Sequence, residues 1–263
     1  MPVIIAVVGY FSGVLVNALA DSLPRSRAIE RPLCRECGAP RRSLAWSGLT
    51  AYLTGKQDCE YCSSPIGFRA PIVEMVAILW PLVLYLIDPS PLFLWPTFLL
   101  STYFLLVIVI DYEHRLILFV VTIPAMVVLA VLGTLDPSRG PEKTLLGGLV
   151  GFVAVWALYL LGGLFAQLVW RLRNQPLEEV AFGFGDVMLA GIIGLAVGYP
   201  GITLALLFGV LAGGVFSLGF LLVMVLRRRY EAFVPIPYSP FLIFGGMIVY
   251  IAGRTGLAAS LLS

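Results

Sequence analysis

Apolar residues fill most of this chain in long blocks, interrupted by short polar or proline-rich stretches rather than alternating with polar positions. Blocks near or above the roughly 20 residues needed to cross a hydrocarbon layer predict transmembrane helices. About eight spans are expected, near 3–20, 71–87, 92–110, 117–134, 144–168, 186–199, 202–226 and 236–253. Breaks such as Asp88-Pro89-Ser90-Pro91 and Asp136-Pro137-Ser138-Arg139-Gly140-Pro141 separate them. The sixth is short unless it starts at Gly183 or Asp186, and the eighth carries Pro237 and Pro240. The first lacks a basic leading region, and Asn17 and Asp21 follow where a cleavage site would need small residues. It therefore reads as a retained helix rather than a cleaved signal.

Composition agrees: 60% of residues are hydrophobic and 12% charged, mean hydropathy is +0.98, and soluble domains carry roughly 25% charged residues. The fold class expected is an all-α polytopic membrane protein with a cytoplasmic loop after the first helix. A net charge of +2 is no argument for a nucleic-acid partner. With the N-terminus outside, 14 of the 17 Lys and Arg fall on the inner side, eight of them in the first loop. That bias sets the orientation.

Two carboxylates stand at ends of apolar blocks. Asp111 closes the third span and Asp186 opens the sixth, after Gly183-Phe184-Gly185. Charge at membrane depth is expensive and is a functional hypothesis by default, although an aspartate at a helix start is also an ordinary cap. The third span runs outside to inside and the sixth inside to outside, so both aspartates are expected at the cytoplasmic face. Two carboxyls sharing a site can divide the labour of peptide hydrolysis, one ionised and one protonated.

All four cysteines lie in the first inner loop, as Cys34-Arg35-Glu36-Cys37 and Cys59-Glu60-Tyr61-Cys62. Two such pairs predict a structural zinc site, each pair supplying two thiolates to a closed tetrahedral shell. A reducing cytosol disfavours the disulfide alternative, and so polar a loop needs a staple to fold.

These features together resemble the bacterial prepilin leader peptidases, a family of GxGD aspartic proteases. Gly183-Phe184-Gly185-Asp186 is similar to the second catalytic motif of that family, and Asp111-Tyr112-Glu113 to the first. The segment from Gly9 to Asn17, the Leu23-Pro24-Arg25 turn, the tetracysteine loop, Arg69 to Glu74 and Pro235 to Phe241 also resemble the family in order. One departure is Leu118, where the family usually has a proline that breaks the helix after the first aspartate; Pro124 follows soon after.

The resemblance implies an endopeptidase that cleaves type IV prepilins or pseudopilins at the cytoplasmic membrane face, between a basic leader and a hydrophobic helix. The catalytic pair would be Asp111 and Asp186, supported by Gly183, Gly185, Glu113 and Glu74. The metal ligands would be Cys34, Cys37, Cys59 and Cys62. Many members also N-methylate the new N-terminus with S-adenosylmethionine, an activity implied by the resemblance alone. Glu74 is a candidate there, the competing reading being a carboxylate that snorkels or pairs towards Arg69.

The expected organisation is a first transmembrane helix (1–20), a tetracysteine zinc loop (21–70) and a protease core of about seven helices (71–263), all in a bacterial inner membrane. An ion- or proton-coupled transporter using the buried aspartates is the alternative, and a scaffold built on the zinc loop a third. Gly209 and Gly213 read as helix packing, His114 as a bystander, Arg227-Arg228-Arg229 as a headgroup anchor, and Glu178 and Glu179 as a solvated cluster.

Overall fold

The computed structural model describes residues 1–26, 31–42, 45–173, 183–227 and 237–256. Glu178, Glu179, Arg228, Arg229, Pro235 and Ile236 lie outside them. Two compact units divide the chain, Met1–His114 and Arg115–Ser263. The described residues contain no β-strand, only two isolated bridges.

The first unit holds α1 (Pro2–Ser26), α2 (Gly48–Leu53), α3 (Arg69–Ile87) and α4 (Pro91–His114). Gly9, Gly13 and Asn17 recur every fourth residue and share one face of α1. A methyl group on Gly9 would run into the Ala77 carbonyl, and one on Gly13 would come within 2.8 Å of Glu74 Cα. The glycine face therefore lets α1 and α3 approach backbone to backbone, as small residues do between membrane helices. Helix α4 packs on both and buries Phe93, Phe98, Phe104, Val107, Ile110 and Asp111.

The second unit holds α5 (Phe119–Leu135), α6 (Gly140–Arg173), α7 (Phe184–Val197), α8 (Gly201–Leu226) and α9 (Ser239–Arg254). Helix α7 touches the other four. Only 14 residues long, it buries Val187 and every residue from Leu189 to Ala196. Gly147 and Gly194 meet carbonyl to Cα between α6 and α7, where neither admits a side chain. Helix α8 inverts the pattern of a soluble helix. Its buried residues are Gly201, Ile202, Ala205, Gly209 and Gly213, while Leu207, Val215, Leu218 and Leu222 are exposed. That small-residue stripe faces α9 and its lead-in: a methyl group on Gly213 would meet the Tyr238 ring at 2.9 Å.

Among the described residues, five helices, α1, α3, α4, α6 and α8, are long and apolar enough to cross a membrane, and α5, α7 and α9 are shorter apolar helices. This is a multi-pass membrane protein. Each of the eight expected spans corresponds to one of these helices; α2 was not expected. The break expected from the missing proline occurs without it. Arg115 takes a left-handed φ of 52°, and Leu118 is an extended N-cap at φ −79°.

Candidate functional site

The loop of the first unit carries two knuckles with the same local bonding. Cys34 N donates to Ala39 O and Gly38 N to Cys34 O; Cys59 N donates to Ser64 O and Ser63 N to Cys59 O. Bridges Leu33↔Pro40 and Asp58↔Pro65 close each turn. The residue after each second cysteine must turn left-handed, Gly38 at φ 72° and Ser63 at φ 55°. Glycine does this freely and serine at a cost. The correspondence was legible in Cys-x-x-Cys-Gly-x-Pro and Cys-x-x-Cys-Ser-x-Pro, with proline closing each turn.

The knuckles bring Cys34, Cys37, Cys59 and Cys62 together, all four sulfurs lying within 4.8 Å of one another. Sγ of Cys34 is 3.6 Å from that of Cys62, and Sγ of Cys37 is 3.7 Å from that of Cys59. Zinc–thiolate bonds of about 2.3 Å imply tetrahedral edges of about 3.8 Å, so the cluster is compatible with zinc. The backbone N–H of Cys37, followed by that of Glu36, lowers the Cys34 thiol to about 6 against the cost of burial. The Ser64 amide favours the Cys62 thiolate, but partial desolvation and hydrogen bonds with Cys37, Cys34 and Cys59 push it up to about 12. A zinc ion held by these four cysteines would take them as thiolates, displacing the remaining thiol protons.

Glu74 does not meet Arg69. Five residues apart on α3, the two point about 140° apart around the helix. Glu74 is completely buried. Its Oε1 accepts from Gly48 N at 2.8 Å and Asn17 Nδ2 at 3.1 Å; its Oε2 accepts from Ser47 Oγ at 2.6 Å and Leu49 N at 2.9 Å. It therefore satisfies the orphan amides that open α2, fastening the loop to α1 and α3. The alternative reading of a carboxylate that snorkels or pairs towards Arg69 is corrected by this geometry.

Arg69 instead joins a ring of four charges. Its Nη1 donates to Glu113 Oε2 at 2.8 Å and its Nη2 to Asp21 Oδ1 at 3.0 Å. Arg35, inside the first knuckle, donates from Nη2 to Asp21 Oδ1 at 2.7 Å and to both Glu113 oxygens at 2.9 Å. The ring ties together the C-terminal end of α1, the knuckle, the start of α3 and the last turn of α4. Sequence reasoning singled out Glu113 but not these partners, which lie 44 to 92 residues away along the chain in the case of Arg69 and Asp21.

Asp111 is buried one turn before the end of α4, and His114, the last residue of that helix, is exposed. In the second unit Asp186 is half-buried in the first turn of α7. Its Oδ2 accepts from Gly183 N at 3.0 Å, and the helix N-terminus adds partial positive charge there. Gly183, a glycine, returns no side-chain bond, so this cap is one-sided. The two flanking glycines differ. A methyl group on Gly185 would sit 2.6 Å from Ile117 Cβ, so this glycine is needed for packing. Among the described residues, one on Gly183 meets nothing closer than Asp186 Oδ2 at 3.8 Å.

Two sequence families match. The type IV leader peptidase family covers residues 98–218, and the bacterial peptidase A24 N-terminal domain covers residues 7–87. The chain belongs to the type IV leader peptidase family. Relatives named prepilin leader peptidase/N-methyltransferase include one from Aeromonas hydrophila, 26% identical over 89% of this chain and 75% of the relative. One from Pseudomonas aeruginosa is 26% identical over 84% and 71%, and one from Xanthomonas campestris pv. campestris is 29% identical over 78% and 67%. No solved structure matches. The first family match encloses Asp111 and Asp186, and the second encloses all four cysteines and Glu74.

Proposed function

We infer that this chain is a membrane aspartic endopeptidase that removes the leader of type IV prepilins or pseudopilins. The observation that carries the reading is the family match across residues 98–218, which contains both motif aspartates. A transporter built on the same carboxylates is not favoured, since the families and the relatives' names describe peptidases.

In this reading Asp111 and Asp186 act as one dyad that titrates as a pair. Asp186, with the Gly183 amide and the α7 N-terminus on it, is the base that takes a proton from the attacking water. Asp111 carries the proton that polarises the scissile carbonyl. Water oxygen bonds to the carbonyl carbon, a proton passes to the amide nitrogen, and the C–N bond breaks. The charge bias and the alternation of spans support an active site at the cytoplasmic face, where a hydrophobic substrate helix would present its basic leader.

Zinc would be held by Cys34, Cys37, Cys59 and Cys62, where it cross-links the two knuckles. Four thiolates leave no open coordination position, so its role is structural. By function the chain divides into a first helix (1–20), a zinc loop (21–70) and a protease core (71–263). N-methylation of the new N-terminus is the second activity, with S-adenosylmethionine supplying an electrophilic methyl group. A cavity of about 220 Å³ in the first unit includes Asn17, Asp21, Arg35, Trp46 and Arg69 in its lining. The buried Asn17 Oδ1 there lacks a hydrogen-bond partner among the described residues. Both charge signs and an aromatic ring in that lining suit the amino-acid end of such a donor.

The test is prepilin processing by membranes containing wild type, Asp111→Ala or Asp186→Ala. Both variants should lose cleavage completely at normal abundance. Cleavage surviving in either variant refutes the dyad.

A further inference from the structure

We propose that Arg35 is a positioning residue, through which the tetracysteine knuckle holds the last turn of α4 and so sets the aspartate of that helix. The inference rests on the reading of Asp111 given above and adds a reason for the metal loop to be attached to a protease.

Arg35 lies between Cys34 and Cys37, so its backbone is fixed by the knuckle. Its guanidinium reaches both carboxylate oxygens of Glu113, two residues beyond Asp111. An exposed ion pair alone is worth little, and the Arg35 side chain is 46% exposed. The acceptor side differs. Glu113 and Arg69 are 14% and 19% exposed, and Asp21 closes the ring by accepting from both arginines. Such a network keeps its geometry where a lone pair does not, because each charge is held by two partners.

The geometry also separates two tasks. Arg69 alone could neutralise Glu113, since it comes from the adjacent α3 and already donates to it. Arg35 adds a contact from the loop rather than from the bundle. Without it the end of α4 would still be compensated in charge, but no longer tied to the knuckle. The effect expected is therefore on placement. Small misplacement of a reacting group slows chemistry by roughly ten- to a hundredfold without weakening substrate binding.

The experiment uses the full chain purified with zinc in lipid nanodiscs, with a synthetic prepilin peptide carrying leader and hydrophobic helix as substrate. Variants are Arg35→Gln, Glu113→Gln and the double. Zinc content, kcat, KM and amide hydrogen exchange across the last turn of α4 are measured. Arg35→Gln should keep its zinc, lose kcat by about tenfold or more at unchanged KM, and exchange faster at residues 108–114. Glu113→Gln, which leaves the knuckle untouched, should do the same, and the double variant should be no worse than either single. Unchanged exchange at the end of α4 in both single variants overturns the proposal, as does a kcat loss that appears only when zinc is lost. The reading of Asp111 fails separately: cleavage surviving Asp111→Asn sinks it, while the exchange result still decides whether Arg35 holds α4.

Discussion

Replacing Glu74 with glutamine asks whether this buried carboxylate fastens the loop or performs chemistry. The substitution keeps the shape and removes the charge. Glu74 accepts four hydrogen bonds, two of them from the Gly48 and Leu49 amides at the start of α2. Glutamine retains one oxygen, so two donors lose their acceptor and face an NH₂ group. Hydrogen bonds to a charged group contribute about 1.5–3 kcal/mol each, and an orphaned buried donor costs about 1–3 kcal/mol. Ser47 can rotate its hydroxyl to a new acceptor, whereas the Leu49 amide cannot move. The net loss is therefore about 3–4 kcal/mol, enough to detach α2, whose six residues are too few to persist alone.

The assay is limited proteolysis of the purified protein with zinc bound, compared with thermal unfolding and methylation of a cleaved pilin peptide. Cleavage should appear within residues 45–68 at least a hundredfold faster than in wild type, the equivalent of 3 kcal/mol. Glu74→Gln that resists protease like wild type but no longer methylates would refute this reasoning and make Glu74 a reacting group.

Three further outcomes follow from local geometry. Ser63→Gly relieves a left-handed serine and should stabilise the zinc-bound loop by about 1 kcal/mol, read as slower zinc release to a chelator; Gly38→Ser should do the opposite. Gly185→Ala collides with Ile117, whereas Gly183→Ala fits, so only the first should lower the melting temperature, and cleavage lost by Gly183→Ala would report on substrate rather than on folding. Asp136 is held below its ordinary 3.8 because hydrogen bonds from Ser138 and the charge of Arg139 outweigh the cost of burial. A carboxylate lowered by folding stabilises above its unfolded value and loses that contribution as pH falls through the folded one; Asp136→Asn should therefore be less stable than wild type at pH 7, with the gap closing below pH 3.8.

The helices were legible because each apolar block is long and bounded by proline, glycine or charge, and membrane insertion leaves little choice of secondary structure. The six-residue α2 was not, since its stability comes from Ser47 and from Glu74 on another helix rather than from its own pattern. The cysteine cluster followed from spacing, because each Cys-x-x-Cys supplies two ligands through local backbone geometry. The charge ring did not, because Asp21, Arg35, Arg69 and Glu113 meet only after three helices pack. The partners of Glu74 were hidden for the same reason: Arg69 is near in sequence, but helical rotation turns it away, and Asn17 and the start of α2 come from elsewhere in the chain.

Metal binding cannot by itself explain how the loop is placed. Among the described residues between 31 and 68, the buried apolar side chains are Cys34, Ala51 and Ile66, far too few for a core. A metal would join the two knuckles to each other, but a rigid knuckle pair attached only through its chain ends can still swing about them. Removing that freedom takes anchors at separate points. Glu74 provides one, gripping the N-terminus of α2 in a fully buried site where water and salt do not compete. Arg35 provides the other, inside the first knuckle, where the partners are charged and partly hydrated. The two anchors bind different points of the loop, its middle and its first knuckle, to different helices: α3 with α1 in one case and α4 with α1 in the other. A loop held at one point could transmit nothing but its own presence; held at two, its conformation and that of the Asp111 helix depend on each other.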